Sequence, residues 1–339
     1  MQTPTYRSMP DIILSNGKKF MAAPGVSILD AAAQAHVFLP YSCKTGRCSS
    51  CKCKVVSGET LALTTELGLT QEELEQGWVL SCVRSAQTDL ELEIDDLGGI
   101  ALPSQKTIPC RISRIEHLAP DVVRVILRLP PAAVFTFLPG QYIDIIGPNG
   151  VRRSYSLANA PITDKTLELH IRAVEDGLMS DYWFKRAKEN DLLRLTGPLG
   201  TFFLRETNGQ DLVFLATGTG IAPVKAMLEA LVEFPQELQP ASVTVLWGGR
   251  TPADLYIDLP CLPDHYQFVP VLSRADKDWA GAKGYVYEAL LQNAPSLSRT
   301  TVYACGSDAM IHSARKVLVA AGLPARQFYA DAFVSSGNI

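Results

Sequence analysis

The stretch 41–54, YSCKTGRCSSCKCK, puts four cysteines into eleven residues, with three basic residues and no acid between them. Cys43, Cys48 and Cys51 follow the spacing C-x4-C-x2-C, and Cys82 follows after thirty further residues. Nothing else in the chain restricts its folding as much. A short polar loop crowded with thiols cannot be ordinary core, so it must bind metal or form disulfides. The N-terminus, MQTPTYRSMPDII, lacks a basic stretch followed by an apolar one, so no secretory signal is expected. No apolar run approaches the length that crosses a bilayer, so no membrane insertion is expected. The expected compartment is therefore the cytoplasm, where clustered thiols hold metal more often than disulfides.

Two metals compete for this loop. The spacing of Cys43, Cys48, Cys51 and Cys82 is that of four-thiolate ligation of a plant-type 2Fe–2S cluster. Structural zinc usually pairs two short Cys-x2–4-Cys elements, and here one half is such an element while Cys82 stands alone. The cluster reading is preferred and zinc is the alternative. Gly46, Ser49 and Ser50 let backbone approach the inorganic core, and Lys44 and Arg47 offset its negative charge. Cys53 alternates with Cys51 along an outgoing strand and reads as small and buried; Cys110 and Cys261 read as packing.

At 339 residues the chain is too long for one core, and its patterning divides into three blocks. Residues 1–100 carry 8 Lys/Arg and 12 Asp/Glu; the remainder is neutral, giving a net charge of -4. That balance implies no broad attraction to nucleic acid, and the acidic segment 66–96 also reads as ordinary solvated surface. The first block opens with a hairpin turning at Asn16-Gly17, followed by a helix with a capping box from Ser27 to Asp30. The second, 105–208, alternates like strands punctuated by Pro and Gly, which predicts a small antiparallel barrel. The third, 209–339, alternates buried strands with helices, as in a doubly wound α/β domain.

In the second block, RRSYS places Arg153 to neutralise a phosphate, Tyr155 two residues on to lie against an aromatic ring, and Ser156 to donate to a ring nitrogen. Downstream, a Gly turn leads to a helix expected near Ser180, whose N-terminus suits a phosphate. Phe202 and Phe203 read as barrel core. In the third block, LATGTGIAP runs from a strand into a helix with Pro223 near its first turn. Its glycines let backbone approach a pyrophosphate, although the usual G-x-G-x-x-G fingerprint is absent. Arg250 follows a strand where an adenosine ribose would lie, and Cys305 and Gly306 lie at another strand end. Cys305 reads equally as a small buried thiol.

Taken in order, the cysteine loop, the R-x-Y-S strand and the G-x-G-x-x-P turn resemble the ferredoxin-NADP reductase-like flavoproteins with an N-terminal ferredoxin domain. The likeness covers essentially the whole chain and extends to YSCKTGRCSSCK, RRSYSLANAP, GPLGTFFLRE, GTGIAPVKAMLEAL, VYACGSDAMI and DAFV. It implies a multidomain α+β and α/β chain: a β-grasp ferredoxin domain, a Greek-key β-barrel flavin domain and a doubly wound α/β nucleotide domain. It implies FAD held by Arg153, Tyr155 and Ser156, with His170, Ile171, Arg172, Gly177, Met179 and Ser180 on its ribityl, pyrophosphate and adenine side. It implies a nicotinamide nucleotide held by Thr217, Gly218, Gly220, Pro223, Arg250, Ser273, Arg274 and Gly306. Ser156, Cys305 and Phe333 would act at the reacting rings.

The resemblance implies electron flow from NADH through FAD and the 2Fe–2S cluster to a partner, a sugar 3-dehydrase or an oxygenase. NADPH is the alternative donor: Arg250 and Arg274 could meet a 2′-phosphate, and Asp254 opposes them. The sugar-pathway branch carries an acid after the loop lysine where this chain has Thr45. With Arg47 kept, the partner docking near the basic cluster rim is expected to be acidic. A partner-independent diaphorase or flavin or ferric reductase is the alternative function. A redox sensor fits less well, since the hydride-accepting module is complete and no DNA-binding element is visible.

Overall fold

The structure, a computed structural model, describes residues 9–161, 165–259, 263, 266–293 and 296–333. Packing divides the chain into two units, Met1–Leu102 and Pro103–Ile339. Cys261 lies outside the described residues.

The first unit is a five-stranded mixed sheet with the Ile28–Gln34 helix and the short Gln71–Glu75 helix against it, and a separate pair of strands, Thr60–Ala62 with Arg84–Ala86. The Asp11–Leu14 and Lys19–Met21 strands pair antiparallel around the turn expected at Asn16-Gly17, and Gly17 adopts φ 79° there. Asp11–Leu14 pairs in parallel with Leu90–Glu93, which joins Lys52–Ser57 and then Trp78–Leu80. This is the β-grasp arrangement. Ser27 caps the Ile28–Gln34 helix by accepting the Asp30 N–H. The Asp30 carboxylate takes the Ser27 hydroxyl, at 2.8 Å. Ile28, Leu29, Ala31 and Ala32 turn inward onto Ile12, Leu14, Phe20 and Leu80, and Cys53 is fully buried among them.

The second unit holds two sheets. Six antiparallel strands run in the order Arg152–Ser156, Tyr142–Ile146, Leu192–Leu199, Lys106–Ala119, Val122–Arg128 and Thr166–Arg172. A bridge from Leu157 to Leu169 joins the two outer strands and closes the barrel. Alternation along Val122–Arg128 and Thr166–Arg172 sends Val123, Val125, Leu127, Leu167, Leu169 and Ile171 inward. Cys110 is in this core, as expected.

The other sheet is wholly parallel, in the order Ala282–Lys283, Tyr266–Leu272, Ser242–Gly249, Asp211–Thr217, Thr300–Ser307, Phe328–Phe333. The order reverses beside Asp211–Thr217, whose neighbour on one side is the next strand in sequence and on the other Thr300–Ser307. In open α/β sheets ligands bind outside the carboxyl ends of the strands at such a reversal. Phe202 is buried here, packed with Phe214 and Tyr303, and belongs to this core and not to the barrel's. It precedes the first parallel strand, so the chain has already left the barrel when its ring is buried. Phe203 is also buried, with the Arg205 guanidinium 3.9 Å above its ring.

Phe214 is fully buried and stacks on Tyr303 with ring centres 5.4 Å apart. Phe214→Ala is expected to cost about 3–5 kcal/mol, read as a lower denaturation midpoint of the second unit. A loss under about 1 kcal/mol would mean the core refills the space.

Candidate functional site

In the first unit the four thiols form two pairs. Cys43 and Cys48 place their sulfurs 3.0 Å apart, and Cys51 and Cys82 place theirs 3.3 Å apart. Two thiols per pair is what two irons sharing four thiolates require. A single tetrahedral ion would draw three or more donors onto one point, and among the described residues no such group occurs. The donor set therefore fits a binuclear cluster and not zinc.

The loop also supplies N–H donors. Those of Thr45 and Cys48 point at the Cys43 sulfur, each at 3.4 Å, and that of Cys43 points at the Cys48 sulfur at 3.5 Å. In each pair one thiol is lowered and its partner raised, because one sulfur donates its proton to the other. Cys43 falls to about 5 through its hydrogen bond from Cys48, and Cys82 is lowered by its bond from Cys51. Burial pushes Cys53 up to about 12, as suits a thiol that binds nothing.

Two features hold the loop in shape. Gly46 has φ 71°, and a Cβ there would lie 2.8 Å from the Thr65 carbonyl oxygen. Glu66, nearly buried, accepts the Leu80 N–H at 2.7 Å and the Arg84 Nε–H at 2.9 Å, clamping the chain on both sides of Cys82. The sequence reading missed Glu66, because its partners lie 14 and 18 residues away. On the rim, Lys44 is 3.7 Å from Asp30 and lies over the Tyr41 ring, and Lys52 pairs with Glu73 at 2.7 Å.

In the second unit, Arg153, Tyr155 and Ser156 lie on the Arg152–Ser156 strand. Tyr155 is half-buried against the barrel core and accepts the Trp183 indole N–H at 2.9 Å, which fixes its ring. The Ser156 hydroxyl is largely buried and makes no hydrogen bond among the described residues, leaving it free for a ring nitrogen. His170, Ile171 and Arg172 end the neighbouring strand. The helix expected near Ser180 is there, running Leu178–Asp181 with Gly177 at its N-cap, and the Ser180 hydroxyl in its first turn accepts the Val174 N–H at 2.8 Å. Met179 has its side chain in the barrel core, where it fills the space beside Gly147. Only its backbone can face a ligand.

The residues expected to hold the nucleotide converge at the strand reversal. Thr217 ends its strand, Gly218–Gly220 forms one tight turn, and the Ile221–Val232 helix begins at once, with Pro223 buried in its first turn. A Cβ on Gly220 would sit 2.3 Å from the Cys305 carbonyl oxygen, and one on Gly306 2.2 Å from Thr217 Oγ1. Both positions admit only glycine, because Cys305 and Thr217 fill the space a side chain would take and hold the turn against the neighbouring strand end. Cys305 is fully buried, and burial followed by the Asp331 charge raises its thiol well above the ordinary range. Phe333 pairs in register with Ser307 at the same end of the sheet and is exposed.

Arg250, Ser273 and Arg274 meet at the ends of the next two strands, where the Arg274 N–H donates to the Arg250 carbonyl at 2.9 Å. Neither guanidinium has an acidic partner among the described residues. Asp254, expected to oppose them, is otherwise engaged. Its carboxylate accepts the N–H groups of Arg250 and Thr251, each at 2.9 Å, and lies 3.4 Å from Arg172.

The chain matches three family models: 2Fe-2S iron-sulfur cluster binding domain over residues 12–87, Oxidoreductase FAD-binding domain over 109–204, and Oxidoreductase NAD-binding domain over 214–316. It is 43% identical over 314 residues to the CDP-6-deoxy-L-threo-D-glycero-4-hexulose-3-dehydrase reductase of Yersinia pestis, covering 91% of this chain and 94% of that one. It is 32% identical to reductase component 2 of terephthalate 1,2-dioxygenase from Comamonas sp, covering 93% and 94%. Among solved structures it resembles the Amycolatopsis cytochrome P450 reductase GcoB, with TM-score 0.74, 31% identity and coverage of 96% and 99%.

Glu66→Ala should speed loss of the cluster's visible absorbance in a chelator several-fold, since it frees both flanks of Cys82; an unchanged rate would remove the clamp from the account. A second expectation concerns pH. Burial holds His170 below its ordinary 6.5, despite the opposing pull of Glu168. The unfolded chain therefore takes up this proton before the folded one does. His170's share of stability is full above 6.5 and is lost as pH falls below it. His170→Gln should flatten the second unit's stability in that window; an unchanged slope would contradict this.

The three matched segments and the near full-length identity to reductase components show that the chain belongs to the ferredoxin-NADP reductase-like flavoproteins with an N-terminal 2Fe–2S domain, as an NAD(P)H-dependent oxidoreductase.

Proposed function

We propose that the chain is the reductase component of a two-protein system, taking electrons from NADH and handing them singly to a nucleotide-sugar dehydrase. The observation that carries this is the pairing, on one chain, of a crevice for a hydride-donating nucleotide with a two-by-two thiolate site. When bound, the flavin accepts the nucleotide's electron pair and the cluster carries single electrons onward.

The residues supply position and electrostatics. Arg153 neutralises a flavin phosphate, and Tyr155, fixed by Trp183, supports the ring system. Ser156 offers its uncommitted hydroxyl to a ring nitrogen. His170, Ile171, Arg172, Gly177, Met179 and Ser180 face the rest of the FAD, Met179 through its backbone. Thr217, Gly218, Gly220, Pro223 and Gly306 receive the nucleotide, Arg250, Ser273 and Arg274 its adenosine end, and Cys305 and Phe333 border the nicotinamide. Cys43 and Cys48 hold one iron and Cys51 and Cys82 the other. We assign the domains to 1–100, 105–208 and 209–339, supported by the three matched segments.

The 43% identity to the dehydrase reductase, against 32% to the dioxygenase component, favours a sugar dehydrase over an oxygenase as partner. Its docking place is assigned to the cluster rim around Lys44 and Arg47. Lys44 keeps 40% of its side chain exposed there, although Asp30 offsets part of its charge. The assigned compartment is the cytoplasm, supported by seven described cysteines that are all free.

Three measurements test this. Ser156→Ala should slow flavin reduction by NADH about tenfold, roughly 1.4 kcal/mol of barrel-side stabilisation, with the cluster spectrum unchanged; wild-type kinetics would remove Ser156 from the chemistry. The ratio of kcat/KM for NADH to that for NADPH should exceed one, and a ratio below one would reverse the donor. NADH oxidation should couple to the Yersinia pestis dehydrase with its sugar nucleotide; coupling instead to the terephthalate dioxygenase would move the chain to the oxygenase branch.

A further inference from the structure

A buried polar chain crosses from the barrel to the nucleotide sheet. The His170 ring nitrogens lie 2.8 Å from Glu168 Oε1 and 3.1 Å from the Tyr256 hydroxyl. Glu168 is ionised, with its carboxyl held below the ordinary range and Lys225 Nζ at 3.4 Å. A carboxylate only accepts, so His170 Nε2 carries the proton. Nδ1 is then an acceptor, and the Tyr256 hydroxyl donates to it. The Tyr256 ring meets Trp247 edge-on with centres 5.2 Å apart, at 86°. Trp247, itself fully buried, donates its indole N–H to the Gly218 carbonyl at 3.0 Å. The turn is held from the barrel a second time: Gly218 has φ 55°, and a Cβ there would lie 2.9 Å from Arg172 Nη1.

We propose that Tyr256 is a positioning residue that ties the flavin strand Thr166–Arg172 to the Gly218–Gly220 turn, so that affinity for the nicotinamide nucleotide is set in part from the barrel side. The inference rests on the reading of that turn as the pyrophosphate site. Among the described residues the Tyr256 hydroxyl bonds His170 and its ring meets Trp247. It acts by fixing the Trp247 indole, which fixes the first carbonyl of the turn and hence the direction of the N–H groups that follow. The Gly218 carbonyl also accepts the Ile221 N–H, so losing the indole N–H removes one of its two donors and lets it tilt toward the anionic ligand and oppose it.

The test uses full-length protein with FAD and cluster bound, and ADP-ribose as the probe, titrated calorimetrically. Tyr256→Phe keeps the ring and loses only the hydroxyl; Trp247→Phe keeps an aromatic ring and loses the N–H. Each should weaken ADP-ribose binding several-fold, up to about tenfold for one buried hydrogen bond. KM for NADH should rise in parallel while kcat and FAD content hold. The double variant should bind no more weakly than the worse single one, because both changes release the same carbonyl.

Unchanged affinity in Tyr256→Phe, or a double variant at the product of the two single effects, would overturn the proposal. Gly220→Ala with retained FAD is the control, and Thr217→Val replaces it if that variant does not fold. If ADP-ribose binding survives the control, the turn assignment falls and the relay with it. If the control abolishes binding while Tyr256→Phe binds normally, the relay alone falls.

Discussion

At the carboxyl end of the Asp211–Thr217 strand two stretches of backbone meet with no room for a side chain between them. Gly220 lies against the Cys305 carbonyl and Gly306 against Thr217, each closer than a Cβ could tolerate. This contact lets the Ile221–Val232 helix start one tight turn after the strand. The barrel is built to the same point. Arg172 reaches Gly218 from the flavin strand and pairs with Asp254 of the nucleotide sheet as well as with Asp121 of the barrel. A side chain at either glycine would push these two strand ends apart.

The first unit faces a different constraint, that of charge. Four thiolates around two irons concentrate negative charge in one loop. The chain answers with N–H donors to sulfur, with Lys44 and Arg47 on the rim, and with Glu66 placed where its own charge is absorbed by Arg84 and the Leu80 N–H. The rim is less basic than its composition suggests, since Lys44 and Lys52 each have an acidic neighbour.

Features set by neighbours in the chain could be read from the sequence. The cysteine spacing, the Asn16-Gly17 hairpin, the Ser27 cap and the strand–turn–helix at Gly218–Gly220 each depend on a few consecutive residues, and the structure has them where they were expected. What depends on distant partners could not be read. Glu66 acts across 14 to 18 residues, and the His170–Tyr256 contact spans 86. Phe202 was placed in the wrong core because an aromatic at a domain border reads the same on either side. Asp254 reads in sequence as an acid beside two arginines; its role as a backbone cap emerges only when the turn is folded.

The measurement that bears most directly on the central claim is an anaerobic absorbance titration of the purified protein with NADH. The account predicts that the flavin band and the cluster's visible bands bleach together, with electrons taken up beyond the two that flavin alone would accept. Flavin bleaching beside an unchanged cluster would contradict it, leaving a flavin reductase in which the paired thiols take no part.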